Sequence, residues 1–189
     1  MKIGLYFGSF NPIHIGHLII ASAIKNKTDL QKIWLVVSPH NPLKPSKSLL
    51  NEFNRLHLVK LAVEDDENLE VSDIEFKLPR PSYTIDTLTY LKEKYPQHEF
   101  SIIMGSDSFQ NITKWKNYEL LLNNYQVYIY QRPNFPVENP AENITIVNAP
   151  LLEISATQVR LLIKNNKSIR YLVPEKVREE IEQNRYYKS

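Results

Sequence analysis

The strongest constraint on the fold is a set of short apolar runs, each stopped by a turn residue. Ile33-Trp34-Leu35-Val36-Val37 ends at Ser38-Pro39, and Phe100 to Met104 ends at Gly105. Runs of this length and character read as buried strands. Lys2 to Phe7 reads as a first strand stopped by Gly8, and Gln126–Tyr130 and Ile144–Val147 read as later ones. Leu69–Phe76 reads as one or two short strands. Between these runs the apolar spacing turns helical, over Gly16–Lys25, 52–65, Thr84–Lys94, Tyr118–Leu122, Ser155–Ile163 and Pro174–Gln183. Strands alternating with helices predict an α/β fold, a doubly wound and mostly parallel sheet with helices on both faces. Such sheets bind ligands beyond the carboxyl ends of their strands, at the topological switch point.

Composition narrows the function classes. The chain has 189 residues, a length that suits one domain (1–189). Lys and Arg number 23 against 21 Asp and Glu, a net charge of +2, which argues against nucleic-acid binding or attraction to an acidic membrane surface. The absence of cysteine excludes disulfides, thiolate nucleophiles and cysteine-ligated zinc. No apolar run approaches the ~20 residues of a membrane span, so a cytoplasmic protein without membrane partners is expected. There are only four glycines, and Gly8 and Gly105 each follow a strand, where backbone geometry or close approach asks for them.

Neither a GxxxxGK[ST] phosphate loop nor a GxGxxG turn is present. The segment Gly8-Ser9-Phe10-Asn11-Pro12-Ile13-His14-Ile15-Gly16-His17 takes their place. A strand ends, a turn brings amides forward, and a helix N-terminus follows as an anion site. His14 and His17, three residues apart, share one face of the first turn. Gly16 removes a side chain and permits close approach. A metal reading with His14, His17 and His40 as ligands has no carboxylate at ligand spacing to support it. At the other end, Ile154-Ser155-Ala156-Thr157-Gln158-Val159-Arg160 reads as a capped helix start in which Ser155 and Gln158 form a capping box. Thr157 and Arg160 share a face, and an arginine fork suits phosphate. Lys44, on a proline-stiffened loop after a strand, is a phosphate candidate. Arg55 is a weaker one, with a solvated or salt-bridged role at least as fitting.

His14-Ile15-Gly16-His17 after a first strand resembles the HxGH signature of the nucleotidyltransferase superfamily, and residues 154–160 resemble its ISSTxxR motif. That resemblance implies a Rossmann-like fold. It makes His14, His17 and Lys44 the catalytic residues, stabilising charge at the α-phosphate. It makes Gly8, Ser9, Phe10, Gly16, Ile154, Ser155, Thr157 and Arg160 the ATP-binding set, completed by C-terminal helices over about 155–184. Further on, Ser82-Tyr83-Thr84-Ile85-Asp86-Thr87-Leu88, Gly105-Ser106-Asp107-Ser108-Phe109, Lys114-Trp115 and Gln131-Arg132-Pro133 look, in this order, like bacterial nicotinate mononucleotide adenylyltransferases over roughly residues 1–185. The resemblance implies adenylyl transfer from ATP to nicotinate mononucleotide, in NAD biosynthesis. The Tyr83-Thr84 amides would receive the nicotinate carboxylate and Trp115 would stack on the pyridine. On the residues alone, Asp107 suits either a ribose hydroxyl or a helix cap, Trp115 either stacking or partial burial against Tyr118, and Arg132 adds a cation to the same edge. Mg²⁺ is expected to travel mainly on the ATP phosphates, with no metal ligands from the protein. Ser9 and Asn11 stand where Thr and Asp are common, Ala156 replaces a Ser, and the 38–44 loop is longer than the family's short form. The rival acceptors are nicotinamide mononucleotide and phosphopantetheine, and a non-catalytic nucleotide sensor is the alternative from another class. Homo-oligomer formation is left open.

Overall fold

The structure, a computed structural model, describes residues 1–40, 49–138, 140–150 and 152–188. Its elements in chain order are β1 (Lys2–Gly8), α1 (Ile15–Lys27), β2 (Lys32–Val37), α2 (Glu52–Val63), β3 (Leu69–Ser72), α3 (Thr84–Lys94), β4 (Glu99–Gly105), α4 (Ser106–Phe109), α5 (Tyr118–Asn124), β5 (Val127–Tyr130), β6 (Ile144–Val147), α6 (Ala156–Lys164) and α7 (Glu175–Gln183). The six strands form one sheet in the order β3-β2-β1-β4-β5-β6, and every pair is parallel. The expected α/β doubly wound sheet is therefore present. The segment read as one or two strands over 69–76 is corrected. Pairing with β2 ends at Ser72, and Ile74–Lys77 turns into a 3-10 helix whose Glu75 is buried.

Period-two alternation along the strands sorts the core into two layers. Tyr6, Leu35, Val37, Ile103 and Tyr130 face one side, where Ala21, Ile24, Val59, Val159, Ile163, Val177 and Ile181 of α1, α2, α6 and α7 cover them. Ile3, Leu5, Ile102, Met104 and Ile129 face the other, under Ile85, Leu88 and Leu91 of α3 and Leu121 of α5. Both faces are sealed, which is why the strands read as nearly continuous apolar runs. Chain order reverses between β1 and β4, the innermost pair. Two residues beyond the last pair in register, Tyr6 and Ile103, both strands end in glycine, Gly8 and Gly105. No helix among the described residues is long and apolar enough to cross a membrane.

Candidate active site

The turn leaving β1 is built around Phe10, whose φ of 44° lies in the left-handed region that a bulky residue seldom occupies. Its ring is buried and lies against Gly8, where a Cβ would come 2.7 Å from Phe10 Cζ. Gly8 is thus the residue that lets the aromatic ring fold back onto its own strand. Asn11 fastens the turn from its far side, its Oδ1 accepting a hydrogen bond from the Leu50 N–H at 3.1 Å.

His14 caps α1. Its carbonyl accepts from the His17 N–H at 2.9 Å, and its own N–H donates to His17 Nδ1 at 3.2 Å. The imidazoles stack with centroids 3.7 Å apart and planes 28° apart. Because His17 Nδ1 accepts, the ring proton sits on Nε2. His14 is buried, and its Nδ1 has no hydrogen-bond partner among the described residues. Burial, helped by the charge of Arg132, holds its pKa down to about 4, so it is neutral at physiological pH. No acidic residue occupies the first turn of α1. The Ile15 N–H is taken by the Leu172 carbonyl at 2.9 Å. With no acidic residue opposing it, this helix start favours an anion through its dipole. A Cβ on Gly16 would lie 3.1 Å from His14 Nδ1 and 3.8 Å from Ile154 Cβ, so the missing side chain makes room for the histidine ring and brings the 154–160 segment alongside.

In that segment the cap at Ser155 forms as one half of the expected capping box. Ser155 Oγ accepts from the Gln158 N–H at 3.1 Å and caps α6. Arg160 donates from Nη1 to the Asn11 carbonyl at 2.7 Å and from Nη2 to Thr157 Oγ1 at 3.3 Å. His14, His17, Gly8, Ser9, Phe10, Gly16, Ile154, Ser155, Thr157 and Arg160 thus belong to one connected edge. Lys44 lies outside the described residues.

Arg55 requires a correction. It is not solvated, and among the described residues it forms no salt bridge to a carboxylate. Its exposure is 0%, and it donates to four backbone carbonyls, those of Ser9 (2.5 Å), Ser38 (2.8 Å), Pro39 (2.9 Å) and Leu50 (2.8 Å). A signal was available. Arg55 shares the α2 stripe of Leu58, Val59 and Ala62 at helical spacing, the core face.

Across the switch point, Asp107 sits in the first turn of α4 rather than capping it, Gly105 being the cap residue. Asp107 Oδ1 is buried 3.2 Å from Arg132 Nε, an ion pair in distance but without hydrogen-bond alignment. Arg132 also donates to the Tyr130 hydroxyl at 2.8 Å, and its backbone N–H donates to Ser106 Oγ at 2.9 Å. Tyr6, whose ring lies 6.2 Å from both Tyr130 and His17, completes a floor that sequence reading did not pick out, since a tyrosine inside an apolar strand gives no functional signal.

The other acceptor elements form a neighbouring group. Tyr83 caps α3, so the Thr84 N–H opens that helix. Lys116 lies over the Tyr83 ring at 4.9 Å and pairs with Asp86 at 2.8 Å, which brings the Trp115 segment to the 82–87 segment. Trp115 is half-buried against the α3 side of the core, together with Tyr118. Beneath them Glu75 accepts from Ser82 Oγ (2.9 Å) and Thr87 Oγ1 (3.1 Å), and burial pushes its carboxyl up from the usual range. Among the described residues no group of three or more His, Cys, Asp or Glu could hold a metal ion.

The cytidylyltransferase-like family matches residues 5–162. The chain is 53% identical to a protein of Flavobacterium psychrophilum and 52% identical to one of Cytophaga hutchinsonii, each named as a probable nicotinate-nucleotide adenylyltransferase and each aligned over 100% of both chains. The nicotinic acid mononucleotide adenylyltransferase of Plasmodium falciparum, solved with NaAD, superposes with a TM-score of 0.83 at 22% identity, over 98% of this chain and 97% of that one, a likeness of fold. With its signature residues joined at the switch point and these relatives matched along their whole length, the chain belongs to the nicotinate-nucleotide adenylyltransferases of the cytidylyltransferase-like family.

Proposed function

We propose that the protein transfers the adenylyl group of ATP to nicotinate mononucleotide, giving nicotinate adenine dinucleotide and pyrophosphate. The observation that carries this reading is the meeting of two half-sites on one sheet edge. The stacked histidines and Arg160 stand beyond β1, and the Tyr83, Asp107, Trp115 and Arg132 elements lie on the β4 and β5 side.

A phosphate oxygen of the acceptor attacks the α-phosphorus of ATP in line. The bond from that phosphorus to the bridging oxygen breaks, and pyrophosphate leaves with the electron pair. The nucleophile is already an anion, so no base is required, and catalysis consists of positioning and charge stabilisation. His17 Nε2–H donates to the α-phosphate, beside the buried neutral His14. Lys44 adds a cation to the same phosphate. Thr157 and Arg160 hold the leaving pyrophosphate, the arginine having donors to spare beyond the two bonds it makes. On the acceptor side the Tyr83 and Thr84 amides receive the nicotinate carboxylate, Trp115 stacks on its ring, Asp107 takes a ribose hydroxyl and Arg132 faces the phosphate. The histidines and cations of this edge do not make a cage for a hard cation, so Mg²⁺ arrives on the ATP oxygens with its own waters, and no step is assigned to it.

The test supplies ATP and Mg²⁺ with nicotinate mononucleotide, nicotinamide mononucleotide or phosphopantetheine in parallel, following pyrophosphate and the adenylylated product. Preference for nicotinate mononucleotide is expected. Turnover only with another acceptor overturns the substrate assignment, and none with any of the three overturns adenylyl transfer.

A further inference from the structure

Arg55 is a fully buried cation whose acceptors among the described residues are all backbone carbonyls, drawn from three separate places in the chain. One is Ser9, in the turn after β1. Two are Ser38 and Pro39, at the exit from β2. The fourth is Leu50, whose own N–H bonds to Asn11 Oδ1 in the same turn. Arg160 approaches that turn from α6 and takes the carbonyl of Asn11 at 2.7 Å. The two guanidiniums therefore hold the carbonyls of Ser9 and Asn11, the residues on either side of Phe10, whose φ of 44° is unfavourable. A strained residue persists only where its surroundings over-determine it, and here the two arginines do so. Phe10 in turn packs edge-on against His17, with centroids 5.1 Å apart and planes at 75°.

Resting on the adenylyl-transfer reading above, we infer that Arg55 is a positioning residue for the ATP half-site. It engages the carbonyl of Ser9 from behind, fixing the turn that places Phe10 and thereby His17, and keeping that carbonyl oxygen from opposing the triphosphate. It touches no substrate. Lysine at this position keeps the charge, but one ammonium cannot reproduce a planar fork spread over four carbonyls.

The experiment compares wild type with Arg55→Lys, first checking by circular dichroism that the variant is folded, then measuring KM for ATP and for nicotinate mononucleotide separately. The expected result is a KM for ATP raised by about tenfold or more with the acceptor KM within about twofold of wild type. A purely structural staple would lower kcat through the active fraction and leave both KM values alone. That result, or an equal rise in both, overturns the inference. If Arg55→Lys does not fold, the wild-type protein is used. Among the described residues Arg55 is the one fully buried arginine, so its Nε–H gives an exchange-protected NMR resonance. A non-hydrolysable ATP analogue is expected to shift that resonance while nicotinate mononucleotide is not, and no shift with the analogue overturns the inference. Absent wild-type turnover would count against the functional reading alone, since the NMR arm tests Arg55 without catalysis.

Discussion

The backbone N–H of His14 donates to Nδ1 of His17 at 3.2 Å while the two rings stack at 3.7 Å, so one histidine sets the tautomer of the other. The proton on His17 is thereby placed on Nε2, the atom assigned to the α-phosphate. Side chains of different reach separate this role from helix capping. Gln extends to the Nε2 position and offers an N–H, whereas Asn reaches only the Nδ1 position and can still accept from His14. His17→Ala and His17→Asn are expected to lower kcat by about 10²–10³-fold, the range for losing one preorganised donor, with His17→Gln retaining more. Steady-state turnover of the three variants checks this. Equal activity of the Asn and Gln variants would make His17 a cap and not a donor.

The buried His14 has a consequence for stability. Its folded pKa, about 4, lies below the ordinary value of 6.5, so the unfolded chain binds the proton more readily. The contribution is therefore fully present above pH 6.5 and is lost as pH falls from 6.5 toward 4, up to on the order of 3 kcal/mol. Glu75 works in the opposite direction, because its raised pKa favours the protonated folded state and its contribution is lost as pH rises. The difference between two proteins isolates His14. Denaturant unfolding of wild type and His14→Gln at pH 7, 6, 5 and 4 should show the wild type losing stability more steeply. Parallel profiles would mean that His14 is not buried neutral.

Gly16 allows stability and activity to be set against each other. A methyl group there would stand 3.1 Å from His14 Nδ1 and 3.2 Å from Cε1, so the ring must move, and its stack on His17 moves with it. Alanine in the first turn of a helix also removes backbone freedom from the unfolded chain, a gain of up to about 1 kcal/mol. Gly16→Ala is thus expected to keep or raise the thermal midpoint while kcat falls by about tenfold or more. A variant with unchanged turnover would show that the geometry of the histidine pair is not required.

The parts of this molecule legible in the sequence are those that periodicity or turn chemistry announces. Thr84–Lys94 and Ile144–Val147 form elements with the expected bounds, because apolar spacing and flanking polar residues agree there. The switch point was legible in Gly8 and Gly105, since each ends an apolar run. Arg55 was read as surface chemistry because charged residues are almost never fully buried; only its place on the apolar stripe of α2 argued otherwise. Glu75 was invisible for a different reason. Its partners Ser82 and Thr87 lie across a turn that the reading of 69–76 as strand did not contain. Tyr6 and Tyr130 match the strand pattern so well that nothing marked them as the floor of a site.

Lys116 provides the last test, of how the acceptor half-site is assembled. Its ammonium bridges Asp86 at 2.8 Å and the face of Tyr83 at 4.9 Å, joining the segment after Trp115 to the start of α3. Both ion-pair partners are more than 40% exposed, so the pair adds no more than about 1 kcal/mol to stability. Its effect should instead appear in how Trp115 and the Tyr83-Thr84 amides are held relative to each other, because a misplaced binding group weakens the ligand that spans it. Lys116→Ala is expected to leave the thermal midpoint within about 4 °C, raise KM for nicotinate mononucleotide several-fold and leave KM for ATP unchanged. A Lys116→Arg variant, which keeps the cation over the ring and a fork for the carboxylate, should recover most of the loss. If KM for ATP rises instead, the 82–87 and 113–116 segments serve the nucleotide donor, and the acceptor must bind elsewhere along the edge.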